Sequence, residues 1–243
     1  MIRFIIMALT IALFLILGLP LLLAETILGK FNEPLMRRSS LRIVQFMFRL
    51  LLKMSGARVT VIGQEKIPTD QPVLYVANHR SYFDILVGYT NVIGLCGFIS
   101  KKEMDKFPIL NLWMRKLYCL FLDRDNLRAG LDTILKAIDQ VKHGVSIFIC
   151  PEGTRHQGEE MLPFKEGGMK IAEKTGCPVI PVAIHGTDDL FENHFPFVRP
   201  ADVTVWFGDP IYTADLERAE KKHLGERCRG IIDGMLKELR AQK

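Results

Sequence analysis

Two hydrophobic rhythms divide this chain. The first is continuous: Phe4 to Ala24 is a run of 21 residues without a charge. As a helix rising about 1.5 Å per residue it would measure about 30 Å, the thickness of a bilayer core. Pro20 predicts a kink near its end. Only Arg3 precedes the run and no A-x-A-like site follows it, which argues against a cleaved signal peptide. The pattern leaves open whether the run spans a bilayer or dips into one leaflet. Glu33–Lys53 then reads as an amphipathic helix. Arg37, Arg38, Arg42, Arg49 and Lys53 share a sector of about 160° beside a wide apolar face. Such a helix suits the headgroup region of a membrane. Its other reading is a helix packed on the protein core with a solvated basic face. The expectation for residues 1–55 is two membrane-anchoring helices.

The second rhythm begins at Gly56. Short apolar runs at Val73–Ala77, Leu95–Ser100, Leu117–Leu122, Val145–Cys150 and Val179–His185 read as buried strands. Helical spacing at Asp84–Val92, Asn126–Lys142 and Glu166–Thr175 separates several of them. Val203–Phe207 adds a strand of undetermined direction, and Asp215–Arg240 reads as a closing helix. Strands separated by helices predict an α/β fold with a largely parallel central sheet flanked by helices.

Composition narrows the class. At 243 residues, 49% apolar and 24% charged, the chain can bury one sizeable α/β core. A net charge of +5, concentrated toward the N-terminal quarter, predicts anionic partners such as a phospholipid membrane, phosphate groups or an acidic carrier protein. Nucleic acid is not expected. Lys30, Arg37, Arg38, Arg42 and Arg49 follow the apolar run and predict that this side faces the cytoplasm. The five cysteines are odd in number and form no C-x-x-C, so neither a disulfide framework nor a metal site is expected. Buried thiols in a reducing compartment fit better.

Chemistry collects just past the strands. Asn78-His79-Arg80-Ser81-Tyr82-Phe83-Asp84 follows the first buried run, Lys101-Lys102 the second, Asp123-Arg124 the third and Pro151-Glu152-Gly153-Thr154-Arg155 the fourth. In open α/β sheets, ligands bind outside the carboxyl ends of the strands. These segments therefore predict one polar, cationic pocket. His79 and Asp84 would lie about 140° apart on an ideal helix, so they can meet only across a turn. There the carboxylate would fix the imidazole tautomer and stabilise its cation. No G-x-S-x-G is present, so the histidine is read as activating a substrate hydroxyl directly. A thioester suits such a base, because a thiolate leaves with little acid assistance. Arg124, Arg155 and Lys101 are candidates for phosphate. Gly153 would let backbone approach the ligand, and Glu152 would orient Arg155 or a hydroxyl, or cap the helix beyond.

The four segments Asn78-His79-x-x-x-x-Asp84, Phe121-Leu122-Asp123-Arg124, Pro151-Glu152-Gly153-Thr154-Arg155 and Val179-Ile180-Pro181-Val182 resemble, in order and spacing, the four blocks of the glycerolipid acyltransferases. The chain is most similar to their bacterial 1-acyl-sn-glycerol-3-phosphate (lysophosphatidic acid) acyltransferases, over roughly Val59 to Pro210. Cys150 departs from the aromatic residue common before the third block, and only a packing change is expected from it. The resemblance implies a glycerol-3-phosphate acyltransferase-like domain over residues 56–243 at the cytoplasmic face of the cell membrane. It implies transfer from acyl-CoA or acyl-carrier protein, without a cofactor, to the sn-2 hydroxyl of lysophosphatidic acid. Another lysophospholipid or glycerol 3-phosphate is the alternative acceptor. His79 would be the base and Asp84 its partner; Lys101, Arg124, Glu152, Gly153, Thr154 and Arg155 would bind the acceptor.

Overall fold

The structure, a computed structural model, describes residues 1–158 and 160–241. Its elements in chain order are α1 (Ile2–Leu17), α2 (Leu19–Phe31), α3 (Glu33–Ser55), β1 (Arg58–Ile62), β2 (Leu74–Ala77), α4 (Phe83–Asn91), β3 (Cys96–Lys101), α5 (Leu110–Lys116), β4 (Leu120–Leu122), α6 (Leu127–Lys142), β5 (Ser146–Ile149), α7 (Lys170–Thr175), β6 (Val179–His185), β7 (Asp202–Phe207), α8 (Arg218–Lys221) and α9 (Leu224–Ala241). The sheet order is β1-β7-β6-β2-β5-β3-β4. Every neighbouring pair is parallel except β6 and β7. The direction of the Val203–Phe207 run, open in the sequence, is antiparallel to β6.

The pleat sends alternate residues of β2 to opposite faces. Tyr75 and Ala77 join a cluster with Phe98, Phe148, Ile180 and Phe207 under α3 and α4, while Leu74 and Val76 join Ile147, Ile149 and Val179 under α6, α7 and α9. On the first face Tyr89, Phe98 and Phe148 form a column of rings with centroids 3.9 and 4.3 Å apart. Both faces of β2, β5 and β6 are thus buried, and an apolar run with no alternation marks such strands.

The N-terminal region departs from expectation. The uncharged run is two helices, because α1 stops at Leu17 and the chain bends by 48° into α2. With α3 this makes three helices where two were expected. Among the described residues no single helix is long and apolar enough to cross a membrane; α1 and α2 together have the required length and composition. α1 lies across the body. At one end Arg3 Nη1 donates to the Ser55 carbonyl (3.2 Å) and Phe4 stacks on Phe191 (5.5 Å); at the other Phe14 meets Trp113 (5.6 Å). Ile2, Ile5, Leu9, Leu13 and Ile16 remain exposed on its far side, as do Leu21, Leu23 and Ile27 of α2.

α3 is well bounded. The Asn32 side chain accepts from Leu35 N, and Gly56 ends the helix at φ 82°. Its face bearing Leu41, Val44, Met47, Leu51 and Leu52 is buried in the core. Each such side chain contributes about 1.5–3 kcal/mol by leaving water. The apolar face is therefore packed on protein, as in the second reading above, while Arg38, Arg42, Phe46, Arg49 and Lys53 stay exposed.

Four other expectations change. β1 was not anticipated: it is an edge strand whose residues are mostly exposed, so it lacks the apolar run of a buried strand. The run Leu117–Leu122 yields only a three-residue β4, because α5 occupies the preceding segment and Tyr118 turns through φ 61°. Asp215–Arg240 is two helices, the first opened by a Glu217–Glu220 capping box. Glu166–Thr175 begins as a 3-10 turn over Glu166–Met169.

Candidate active site

The carboxyl ends of β2, β5, β3 and β4 point toward one edge of the sheet, since these four strands are parallel and adjacent. At the centre stands the turn after β2. Asn78 is fully buried and pairs with the backbone of β6 as a strand residue would: its Nδ2 donates to the Ile184 carbonyl and its Oδ1 accepts from Ile184 N, both at 2.8 Å. The side chain thereby continues the ladder one residue past β2 and frees the backbone to turn.

His79 through Tyr82 form that turn, and α4 opens at Phe83. Asp84 lies in the first turn of α4, where a carboxylate is favoured by the exposed N–H groups. It is only 1% exposed. Its Oδ2 lies 2.8 Å from His79 Nδ1 and accepts from Arg80 N (2.7 Å) and Ser81 N (2.8 Å); its Oδ1 accepts from the Thr187 hydroxyl (2.5 Å). The two residues do meet across a turn. A carboxylate only accepts, so His79 Nδ1 carries the proton in this bond and Nε2 keeps its lone pair. The His79 side chain is 19% exposed.

The loop after β5 closes around it. Glu152 is buried; its Oε1 accepts from His79 N (2.7 Å) and its Oε2 from Leu162 N (3.0 Å). Its two oxygens thus tie the turn after β2 to the loop after β5, where orienting Arg155 or a hydroxyl, or capping the helix beyond, had been expected of it. Burial raises its pKa above the ordinary carboxyl value, against the two N–H groups that lower it. His156 N donates to the His79 carbonyl (3.0 Å), a second tie between the two loops. Gly153 turns at φ 79°, and a Cβ there would meet the Lys165 side chain at 3.0 Å.

Both arginines converge on this loop. Arg124 Nη1 donates to the Gly153 carbonyl. Partial burial lowers the Arg124 pKa, with Glu103 opposing. The Arg155 guanidinium lies 3.4 Å over the Tyr82 ring, and its Nη1 is 3.3 Å from Glu192 Oε1. Thr154 is exposed. Lys101 is exposed at the end of β3, in register with Leu122; its neighbour Lys102 makes the ion pair with Asp123, at 2.8 Å. Cys150 is packed against the first core cluster. Burial pushes its thiol pKa well up, in line with a packing role.

Sequence reasoning missed a further set of side chains. The segment after β6 supplies Thr187 to Asp84, Asp188 Oδ2 to Arg80 Nε (2.9 Å), and Glu192 to three groups. Glu192 Oε2 accepts from the Ser81 hydroxyl (2.6 Å), while Oε1 accepts from Tyr82 N (2.9 Å) and faces Arg155. Arg80 also donates to the Gly158 and Gln157 carbonyls. Gly186, at φ 81°, makes the reversal that delivers Thr187; a Cβ there would lie 2.1 Å from the Asp202 carbonyl. These acidic and hydroxyl residues resemble any polar loop, and only their position near the end of a buried strand hinted at a role.

Residues 58–185 match the Acyltransferase family. The chain is 29% identical to the 1-acyl-sn-glycerol-3-phosphate acyltransferase of Borreliella burgdorferi, over 80% of this chain and 78% of that one. It is 30% identical to the Saccharomyces cerevisiae protein of the same name, covering 79% and 64%, and 32% identical to that of Cocos nucifera, covering 78% and 61%. The chain thus spans somewhat under two thirds of those two relatives. Its fold matches the crystal structure of the 1-acyl-sn-glycerophosphate (LPA) acyltransferase PlsC from Thermotoga maritima with a TM-score of 0.85, at 27% identity over 99% of this chain and 95% of that one.

Proposed function

Because the chain belongs to the Acyltransferase family, we propose that it moves an acyl group from acyl-CoA or acyl-carrier protein to the sn-2 hydroxyl of lysophosphatidic acid, with His79 as general base. The observation that carries this reading is the His79–Asp84 contact of 2.8 Å, within a turn bound at its backbone to the loop that bears Arg155. Relatives named as 1-acyl-sn-glycerol-3-phosphate acyltransferases support the acceptor.

The steps follow from the groups present. His79 Nε2 takes the proton of the acceptor hydroxyl as its oxygen bonds to the thioester carbonyl carbon. Asp84 stabilises the imidazolium that forms. The tetrahedral intermediate collapses with cleavage of the C–S bond, and the thiolate leaves or takes the proton back from His79. Arg155, held flat on Tyr82, presents its remaining N–H groups to the acceptor phosphate, and Arg124 adds a second cation from the far side of the loop. No cofactor enters these steps.

The exposed apolar sides of α1 and α2, beside the basic exposed side of α3, support attachment to an anionic bilayer. Since α1 is held against the body at both ends, we favour insertion into one leaflet over a span, at the cytoplasmic face.

His79→Ala tests the mechanism. Acyl transfer to lysophosphatidic acid should fall by at least about a thousandfold in a protein with an unchanged melting midpoint. Retained turnover rejects His79 as the base. A panel of acceptors with one acyl-CoA tests the substrate: preference for glycerol 3-phosphate or for a headgroup-bearing lysophospholipid would replace the acceptor named here.

A further inference from the structure

Asp84 has two carboxylate oxygens with unlike surroundings. Oδ2 serves the His79 ring and two backbone N–H groups of its own turn. Among the described residues Oδ1 has a single hydrogen-bond donor, the Thr187 hydroxyl at 2.5 Å, and both residues are buried. Thr187 arrives from the segment after β6, 103 residues away in the chain. It lies outside every segment whose residues carry a proposed role, and its hydroxyl has no other hydrogen-bond partner among the described residues.

We infer that Thr187 is a positioning residue of the catalytic pair: its hydroxyl locks the rotation of the Asp84 carboxylate and withdraws charge from it, setting the aim of His79 and how firmly its cation is held. Without the hydroxyl, Oδ1 would be a buried acceptor with nothing to accept, and the carboxylate could rotate about its Cβ–Cγ bond. Its charge would then fall more heavily on the oxygen shared with the imidazole. A more basic carboxylate holds the imidazolium more tightly, which a pH–rate profile reads directly. The other charged or titratable groups around the pair are Glu152 and His156 from the loop after β5, Cys150 at the end of β5, Arg80 on the turn itself, and Asp188 and Glu192 beyond β6. None of these donates to Oδ1, so none substitutes for Thr187.

The inference rests on His79 being the base, and the test separates the two. Thr187→Val keeps the shape and removes the hydroxyl; Thr187→Ser keeps the hydroxyl. With the full chain, acyl-CoA and lysophosphatidic acid, Thr187→Val should lower kcat about tenfold while leaving KM for the acceptor close to wild type. The acid limb of its kcat/KM profile should move to higher pH. Thr187→Ser should restore both. If Thr187→Val does not fold, Thr187→Ala against Thr187→Ser gives the same comparison. An acid limb in the same place for the hydroxyl-less variant and the wild type overturns the inference, as does a Thr187→Ser enzyme as impaired as the valine variant. Should His79→Ala be inactive while Thr187→Val behaves as wild type, only this inference fails. Should His79→Ala remain active, the base assignment fails first.

Discussion

The turn after β2 and the segment after β6 meet around the same histidine–aspartate pair, yet they are built on opposite plans. The first is local: His79, Arg80, Ser81 and Asp84 satisfy one another within six residues, and a spacing in the sequence betrays them. The second is remote: Thr187, Asp188 and Glu192 reach back over more than a hundred residues to Asp84, Arg80, Ser81 and Tyr82. The local plan holds the candidate base and its carboxylate; the remote one ties into them from across the fold. A turn of this kind is therefore only half specified by its own motif.

Experiments can break this division. The largest effect should come from the local side. Asp84→Asn replaces the acceptor with a group that can also donate, which inverts the His79 tautomer, and kcat should drop by about a thousandfold or more; steady-state kinetics that show less than a tenfold loss would contradict the division. On the remote side the effects should be smaller and of another kind. Glu192→Gln weakens the hold on Arg155 and on the Ser81–Tyr82 peptide, so KM for lysophosphatidic acid should rise about threefold to tenfold with kcat nearly kept. If kcat falls instead, Glu192 belongs with the ring-aiming groups and the two plans merge. The smallest effect is expected at the third strand end. Lys102 pairs with Asp123 and Asp125 in the open, and Lys102→Ala should leave the melting midpoint where it is in a thermal scan.

The same contrast explains what could be read in advance. β2, β5 and β6 are buried on both faces and stand out as unbroken apolar runs, and α6 keeps its helical spacing with Asn126 as a cap. β1 escaped because an exposed edge strand needs no apolar run, and α5 because Leu110–Leu117 merges with the strand that follows. Within the site, His79, Asp84, Arg124 and Arg155 were legible from residue type at a strand end. Glu152 was found, but not its bonds to backbone N–H groups, which a sequence does not distinguish. Thr187 and Glu192 were not legible, because what makes them matter is the adjacency of β6 to β2.

Gly186 carries this logic to the rim of the sheet. There is no room for a methyl group between its backbone and the Asp202 carbonyl, where β7 begins and where Arg58 of β1 clasps the Asp202 side chain. Any larger residue would have to push the two outer strands aside or drag Thr187 from its seat. The seat of Thr187 against Asp84 is thus tied to the seam between the end of β6 and the start of β7, two elements far from the histidine turn in the chain.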